Sequence, residues 1–263
     1  MPLARVDDAE LYYEIHGEGP ELLFINGIGA DLSSPLGAFT SPLPEHFSVL
    51  AHDPRGFGRS AAADPVTTIA AMADDAASLA TAAGWRRYHV FGASMGGMVA
   101  QELALRHSDA VDKLVLGVTN AGGANAGKVE AHEIRALSAA DMLRASDTRQ
   151  DDAWMAAHPD AARQAEQRFR GTWDALAADP VRLRGYQAQV EAAKAHDTFD
   201  RLGSIHAPTL VFAGRFDGSC TPAVTAALAE RIPGARYALF DAGHGNWFSD
   251  PEAWAVILAF LLG

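Results

Sequence analysis

Gly92-Ala93-Ser94-Met95-Gly96-Gly97 follows the run Tyr88-His89-Val90-Phe91 and precedes Met98-Val99-Ala100-Gln101-Glu102-Leu103-Ala104-Leu105. The first flank is strand-like, and the second alternates apolar and polar residues at helical spacing. The stretch therefore reads as strand, sharp turn, helix. A serine at the tip of such a turn sits in a strained backbone conformation. Small residues two before and two after it let the strand and helix pass closely, and Gly92 and Gly96 meet that need. Ser94 is the candidate nucleophile.

Outward from this turn, alternation of strands and helices dominates the chain. Residues 9–16 and 21–25 read as two strands joined as a hairpin by Gly17-Glu18-Gly19-Pro20. The second strand runs into Asn26-Gly27-Ile28-Gly29-Ala30-Asp31, a loop whose glycines let backbone amides turn toward a neighbouring group. Residues 47–52 form a further strand, and 67–83 a helix ended by Gly84. Strands are expected at 113–118, 209–213 and 236–240, and helices at about 222–231 and from Pro251 onward. This pattern implies an α/β fold, a mostly parallel sheet flanked by helices, with its chemistry at the carboxyl ends of the strands.

Between about residues 120 and 202 the alternation stops. Several helical patterns rich in Ala, Arg and Gln replace it, broken by Pro159 and Pro180. The expected organisation is a core of residues 1–119 and 203–263 with an inserted helical cap over 120–202. A cap buries one face over the active edge of the sheet, so Trp154 and Trp173 are expected to line a pocket.

The 263 residues, 49% of them hydrophobic and 21% charged, can bury a sizeable core. Lys and Arg total 21 against 33 Asp and Glu, a formal charge of −12 with no basic run. That balance argues against nucleic acid or an anionic membrane as partner. The amino terminus lacks an apolar signal core, and the apolar run at 253–262 is about half of the ~20 residues needed to span a bilayer. A cytoplasmic protein acting on a small molecule is expected. Cys220 is the sole cysteine and reads as a packing residue.

A serine hydroxyl is almost fully protonated at neutral pH and needs a base, which in turn needs a carboxylate to orient it. Of ten histidines, His244 in Asp241-Ala242-Gly243-His244-Gly245 lies just past the last strand, where a loop carries it over the catalytic edge. Asp217 in Gly214-Arg215-Phe216-Asp217-Gly218 also follows a strand directly. Asp241 shares His244's own loop and would have to fold back to meet the imidazole. Gly218 is expected to permit a close turn beside Asp217. The chain order Ser, Asp, His is that of the α/β-hydrolase triad.

On these motifs the chain resembles the capped α/β-hydrolases along nearly its whole length outside the cap. Asn26-Gly27-Ile28-Gly29-Ala30-Asp31 resembles the oxyanion loop of the 3-oxoadipate enol-lactonase-like members, with Asn where many relatives have His. Asp53-Pro54-Arg55-Gly56-Phe57-Gly58-Arg59-Ser60 is similar to the family's structural turn after the third core strand. Gly243-His244 followed by Asp250-Pro251 resembles its closing motif. The resemblance implies that the backbone amides of Ile28 and Met95 are the oxyanion donors, in keeping with one donor after the nucleophile and one from the loop after an inner strand.

The expected activity is cofactor-free hydrolysis of a small, largely apolar ester or lactone. Ser94 is the nucleophile, His244 the proton shuttle and Asp217 its orienting acid, with Ile28, Met95, Trp247 and Phe248 among the pocket walls. Carbon–carbon bond hydrolysis and perhydrolysis use the same residues. A ligand receptor with little turnover is the alternative of another class. Two further motifs are set aside. Gly122-Gly123-Ala124-Asn125-Ala126-Gly127-Lys128 opens like a phosphate-binding loop, but Val129 stands where Ser or Thr would ligate magnesium. His132-Glu133 opens like a zinc motif, but Ala136 replaces the second ligand, so no metal is expected.

Overall fold

The computed structural model describes residues 3–62, 64–65, 67–126 and 138–263. Its strands are β1 (Leu3–Val6), β2 (Ala9–His16), β3 (Glu21–Ile25), β4 (Ser48–His52), β5 (Ala61–Ala62), β6 (Tyr88–Ala93), β7 (Val111–Gly117), β8 (Thr209–Gly214) and β9 (Arg236–Phe240). Its helices are α1 (Ile69–Ala82), α2 (Met95–Arg106), α3 (Ala139–Ser146), α4 (Asp152–Ala157), α5 (Pro159–Ala178), α6 (Pro180–Lys194), α7 (Pro222–Arg231) and α8 (Pro251–Leu262). The starts of these helices carry recognisable caps. Thr68 accepts from the Ala71 amide, Asp179 from Val181 and Arg182, and Asp250 from Glu252, the last two followed by Pro at the first helical position.

The strands lie in the order β1-β2-β4-β3-β6-β7-β8-β9, with β5 on β2. From β4 to β9 every pairing is parallel, and only the pairings made by β2 are antiparallel. The inner strands are apolar through most of their length because both faces are covered, with polar residues such as Glu21, Asp112 and Lys113 near their starts. Leu23, Ile25, Leu50, Val90, Leu114 and Val211 pack under α1, α2 and α7. Their alternates Leu22, Phe24, Val49, Phe91, Val115 and Phe212 pack under α8 with Trp254, Ile257 and Phe260.

One expectation about this sheet is corrected. Residues 9–16 and 21–25 do not form a hairpin, because β4 lies between β2 and β3 and pairs with both. Gly17 and Gly19, both at positive φ, carry the chain against residues 44–47 rather than back along β2; a Cβ on Gly17 would sit 2.3 Å from the carbonyl oxygens of Pro44 and Phe47. The hairpin partner of β2 is β1, joined to it through Asp7 at φ 49°. Between β7 and β8 the chain makes α3, α4, α5 and α6, within the span expected to be the cap. None of the helices among the described residues is long and apolar enough to cross a membrane.

Candidate active site

The turn after β6 holds Ser94 at φ 56° and ψ −125°, a conformation that costs on the order of 1–3 kcal/mol and persists only when its surroundings enforce it. They do so here through backbone contact. A Cβ on Gly92 would lie 2.1 Å from the Gly96 carbonyl oxygen, and one on Gly96 would lie 2.1 Å from that of Ile25. The Ser94 amide donates to the Gly117 carbonyl at 2.9 Å, and the Thr119 hydroxyl donates to the Ser94 carbonyl at 2.7 Å. Strand, turn and helix are thus locked between β3 and β7, leaving the hydroxyl free to project.

The loops after β8 and β9 bring Asp217 and His244 to that hydroxyl. Nδ1 of His244 lies 2.8 Å from Oδ2 of Asp217, and Nε2 lies 3.0 Å from Oγ of Ser94. A carboxylate only accepts, so Nδ1–H donates to Asp217 and Nε2 accepts from the serine hydroxyl. The other oxygen of Asp217 accepts from the Ser219 and Cys220 amides, each at 2.8 Å, which fixes the orientation of this buried side chain. Burial lowers the basicity of His244, and the adjacent Asp217 charge and hydrogen bond more than offset it, raising the imidazole above its ordinary pKa of 6.5. Asp241, by contrast, points outward and pairs with Arg215 at 2.9 Å.

The loop after β3 is a turn closed by the Ala30 amide donating to the Gly27 carbonyl, with Gly29 at φ 68°. Because that carbonyl points into the turn, the trans peptide aims the Ile28 amide outward. Gly27 lies against Ser94, with a would-be Cβ 3.3 Å from that of the serine. Neither the Ile28 nor the Met95 amide donates a hydrogen bond to another group among the described residues. The turn at residues 53–60 supports this loop, since Oδ1 of Asp53 accepts from the Leu32 amide at 2.7 Å and Oδ2 from Arg59 at 2.8 Å.

Ser94 and His244 open on a cavity of about 510 Å³, a size suited to a small ligand. Its walls are mostly apolar and include Ile28, Met95, Trp247 and Phe248. Asn26, Asn120, Lys194 and Ser219 supply polar groups, and Met142 and Ala145 of α3 close one side. Cys220 also lines it, but burial and the Asp217 charge push its thiol pKa up to about 12, which disfavours the reactive thiolate.

Trp154 and Trp173 are not among the lining residues, which corrects the expectation. Trp154 stacks on His158 within the insertion, and Trp173 packs edge-on against Tyr186 in a small cluster with Phe57, Leu176 and Val190. Trp173 is taken by the packing of α5 against α6 and the turn at residues 53–60, while Trp154 stays half-buried against its local neighbour. Gly218 is also explained differently. Its φ is not positive, and a Cβ there would meet the Arg144 carbonyl oxygen at 2.4 Å, so it is small to admit α3. Asn120 was not singled out in the sequence, because its place beside Cys220 arises from a contact 100 positions apart. Lys128, Val129, His132 and Glu133 lie outside the described residues. Among the described residues no His, Cys, Asp or Glu cluster is disposed to hold a metal.

Comparison with known proteins agrees with this architecture. The alpha/beta hydrolase fold family matches residues 20–251. A relative from Agrobacterium fabrum is 30% identical over 270 residues, 96% of this chain and 98% of its own; it is named carbamate hydrolase RutD, an activity its name marks as provisional. The crystal structure of the enol-lactonase from Burkholderia xenovorans LB400 is 30% identical, covers 100% of both chains and superposes with a TM-score of 0.77. Est816, described as an N-acyl homoserine lactone degrading enzyme, is 26% identical over 98% of this chain and 99% of its own, with a TM-score of 0.70. By fold, motif order and similarity along its length, the chain belongs to the α/β-hydrolase family.

Proposed function

We propose that this hydrolase cleaves a small, largely apolar carboxylic ester or lactone through an acyl-enzyme, with Ser94, His244 and Asp217 as its triad. The observation that carries the reading is the continuous line of hydrogen bonds from Asp217 through His244 to Ser94, at 2.8 and 3.0 Å, opening on an apolar cavity. Nε2 takes the serine proton as Oγ attacks the carbonyl carbon. The carbonyl oxygen becomes an oxyanion held by the Ile28 and Met95 amides. Collapse breaks the bond to the leaving oxygen, which takes the proton from Nε2. Water then attacks the acyl-enzyme with His244 again as base, releasing the acid and restoring Ser94. These steps need neither metal nor cofactor.

The lactone reading draws support from the names of two structural relatives, and the ester reading from the cavity's size and apolar walls. A carbamate presents the same kind of carbonyl to the same triad, and the name borne by a relative 30% identical over its length favours including it. The test is a fluorophosphonate label together with a panel of p-nitrophenyl esters, lactones and p-nitrophenyl carbamates. Labelling at Ser94 and turnover that falls at least ~10³-fold in Ser94→Ala are expected. Undiminished turnover in that variant would refute the nucleophile.

A further inference from the structure

The helical insertion does more than wall the cavity. The last turn of α3 reaches between the loops that carry Asp217 and His244 and bonds to both. The Gly218 amide donates to the Ala145 carbonyl at 3.0 Å, and the His244 amide donates to the Ser146 carbonyl at 2.6 Å. Just past the helix the Thr148 amide donates to the Phe216 carbonyl at 2.8 Å. The last carbonyls of any α-helix lack partners within it, so the two loops satisfy acceptors that would otherwise be orphaned.

Two glycines make room for this contact. A Cβ on Gly218 would lie 2.4 Å from the Arg144 carbonyl oxygen, and one on Gly243 would lie 2.2 Å from that of Ser146. Both are backbone collisions that no side-chain rotation relieves, and the two glycines flank the acid and the base.

Asp147 completes the arrangement. Its carboxylate is buried, and Oδ2 accepts from Nδ2 of Asn246 at 3.0 Å and from Arg149 at 2.6 Å, while Oδ1 accepts from the Arg149 amide at 3.0 Å. Asn246 stands two residues beyond His244 on the same loop. The His244 segment is therefore tied to the insertion by its backbone at 244 and by a side chain at 246. Asp217 is tied to it through the next residue.

We infer that the end of α3 is a clasp that holds acid and base in register, and that Asp147, acting through Asn246, is a positioning residue for His244. This rests on the reading of His244 as the base. Asn246→Asp turns the pair into two facing carboxylates. Asn246→Ser removes the bond without adding charge or bulk, and serves where Asn246→Asp does not fold.

The experiment measures kcat and KM on a p-nitrophenyl ester for these variants beside Ser94→Ala, with folding checked by circular dichroism. It also records the far-downfield proton resonance of a histidine Nδ1–H held by a carboxylate. The single variants are expected to lose between about 10- and 100-fold in kcat, the scale of an ~1 Å misplacement of reacting groups. KM should change less than about twofold, and the downfield resonance should weaken. Folded variants with parental kcat and resonance would overturn the clasp. If the underlying reading of the triad is what fails, Ser94→Ala keeps its turnover, which separates the two failures.

Discussion

Asp217→Asn tests the proposed acid most sharply, because the surrounding bonds determine how the new amide sits. One carboxylate oxygen of Asp217 accepts from the Ser219 and Cys220 amides at 2.8 Å each. An NH₂ group cannot accept those two bonds, so the asparagine keeps its carbonyl oxygen there and turns its NH₂ toward Nδ1 of His244. Nδ1 must then be the bare nitrogen, and the imidazole proton moves to Nε2, 3.0 Å from the Ser94 oxygen. A protonated Nε2 cannot take the serine proton. The geometry survives while the tautomer is wrong, a change that lowers kcat by about 10⁴-fold in a serine-protease triad, or ~5 kcal/mol of barrier. Asp241→Asn provides the contrast. It removes only an exposed pair with Arg215, worth ~0–1 kcal/mol, and leaves the triad untouched. Hydrolysis of a p-nitrophenyl ester by both variants, normalised to folded protein by circular dichroism, decides the matter. An inactive Asp241→Asn beside a normal Asp217→Asn would refute the assignment.

Other outcomes concern pH and two glycines. Because Asp217 raises the imidazole pKa above 6.5 despite the opposing effect of burial, kcat/KM should rise with pH through a midpoint above 6.5 as the neutral base forms. The same shift stabilises the fold at low pH and loses that contribution as pH rises through the folded value; a kinetic midpoint below 6.5 would count against the pairing. Gly96→Ala should lower Tm, since its Cβ would sit 2.1 and 2.6 Å from the carbonyl oxygens of Ile25 and Asn26, an overpacking that costs ~1–3 kcal/mol or more. Gly171→Ala, inside α5 with nothing within 4 Å, should instead stabilise by up to ~1 kcal/mol, and thermal denaturation of the pair checks both signs.

What could be read from the sequence was what local chemistry decides. The strained turn at Ser94 needs glycine on both sides, and buried parallel strands read as apolar runs, so these signals survive without knowledge of the fold. The strand pairing at the amino terminus did not. Residues 9–16 and 21–25 flank a glycine-rich turn in the manner of a hairpin, yet β4, more than twenty positions further on, lies between them. Glycine permits a direction of chain travel without choosing it. Gly218 misled for a related reason, since freedom of φ and the absence of a Cβ leave the same letter in the sequence. An aromatic on a helix that covers a sheet edge reads as a cavity wall, which is why the sequence points Trp154 and Trp173 there. The sequence does not say whether the covering surface is the sheet edge or a neighbouring helix.

The insertion reaches the site at two points, and together they bear on how selectivity and turnover are linked. At one, α6 lies on the loop after β3. Oε1 of Gln189 accepts from the Gly29 amide at 2.8 Å, Arg182 pairs with Asp31 at 2.7 Å, and the Tyr186 ring would be 3.2 Å from a Cβ on Gly29. Residues 182, 186 and 189 share one helix face, so a single surface of α6 meets the turn that aims the Ile28 amide. At the other, α3 meets the loops of Asp217 and His244. The Ser94 turn is held instead by the sheet, through Gly117, Thr119 and the close passage of β3. The proposed nucleophile thus belongs to the core, while the proposed oxyanion loop, acid and base each lean on helices that also wall the cavity. A substitution that reshapes those walls from α3 shifts the backbone carbonyls that hold the Gly218 and His244 amides. Selectivity and rate are therefore expected to change together when the insertion is altered, because the same helical turns serve both.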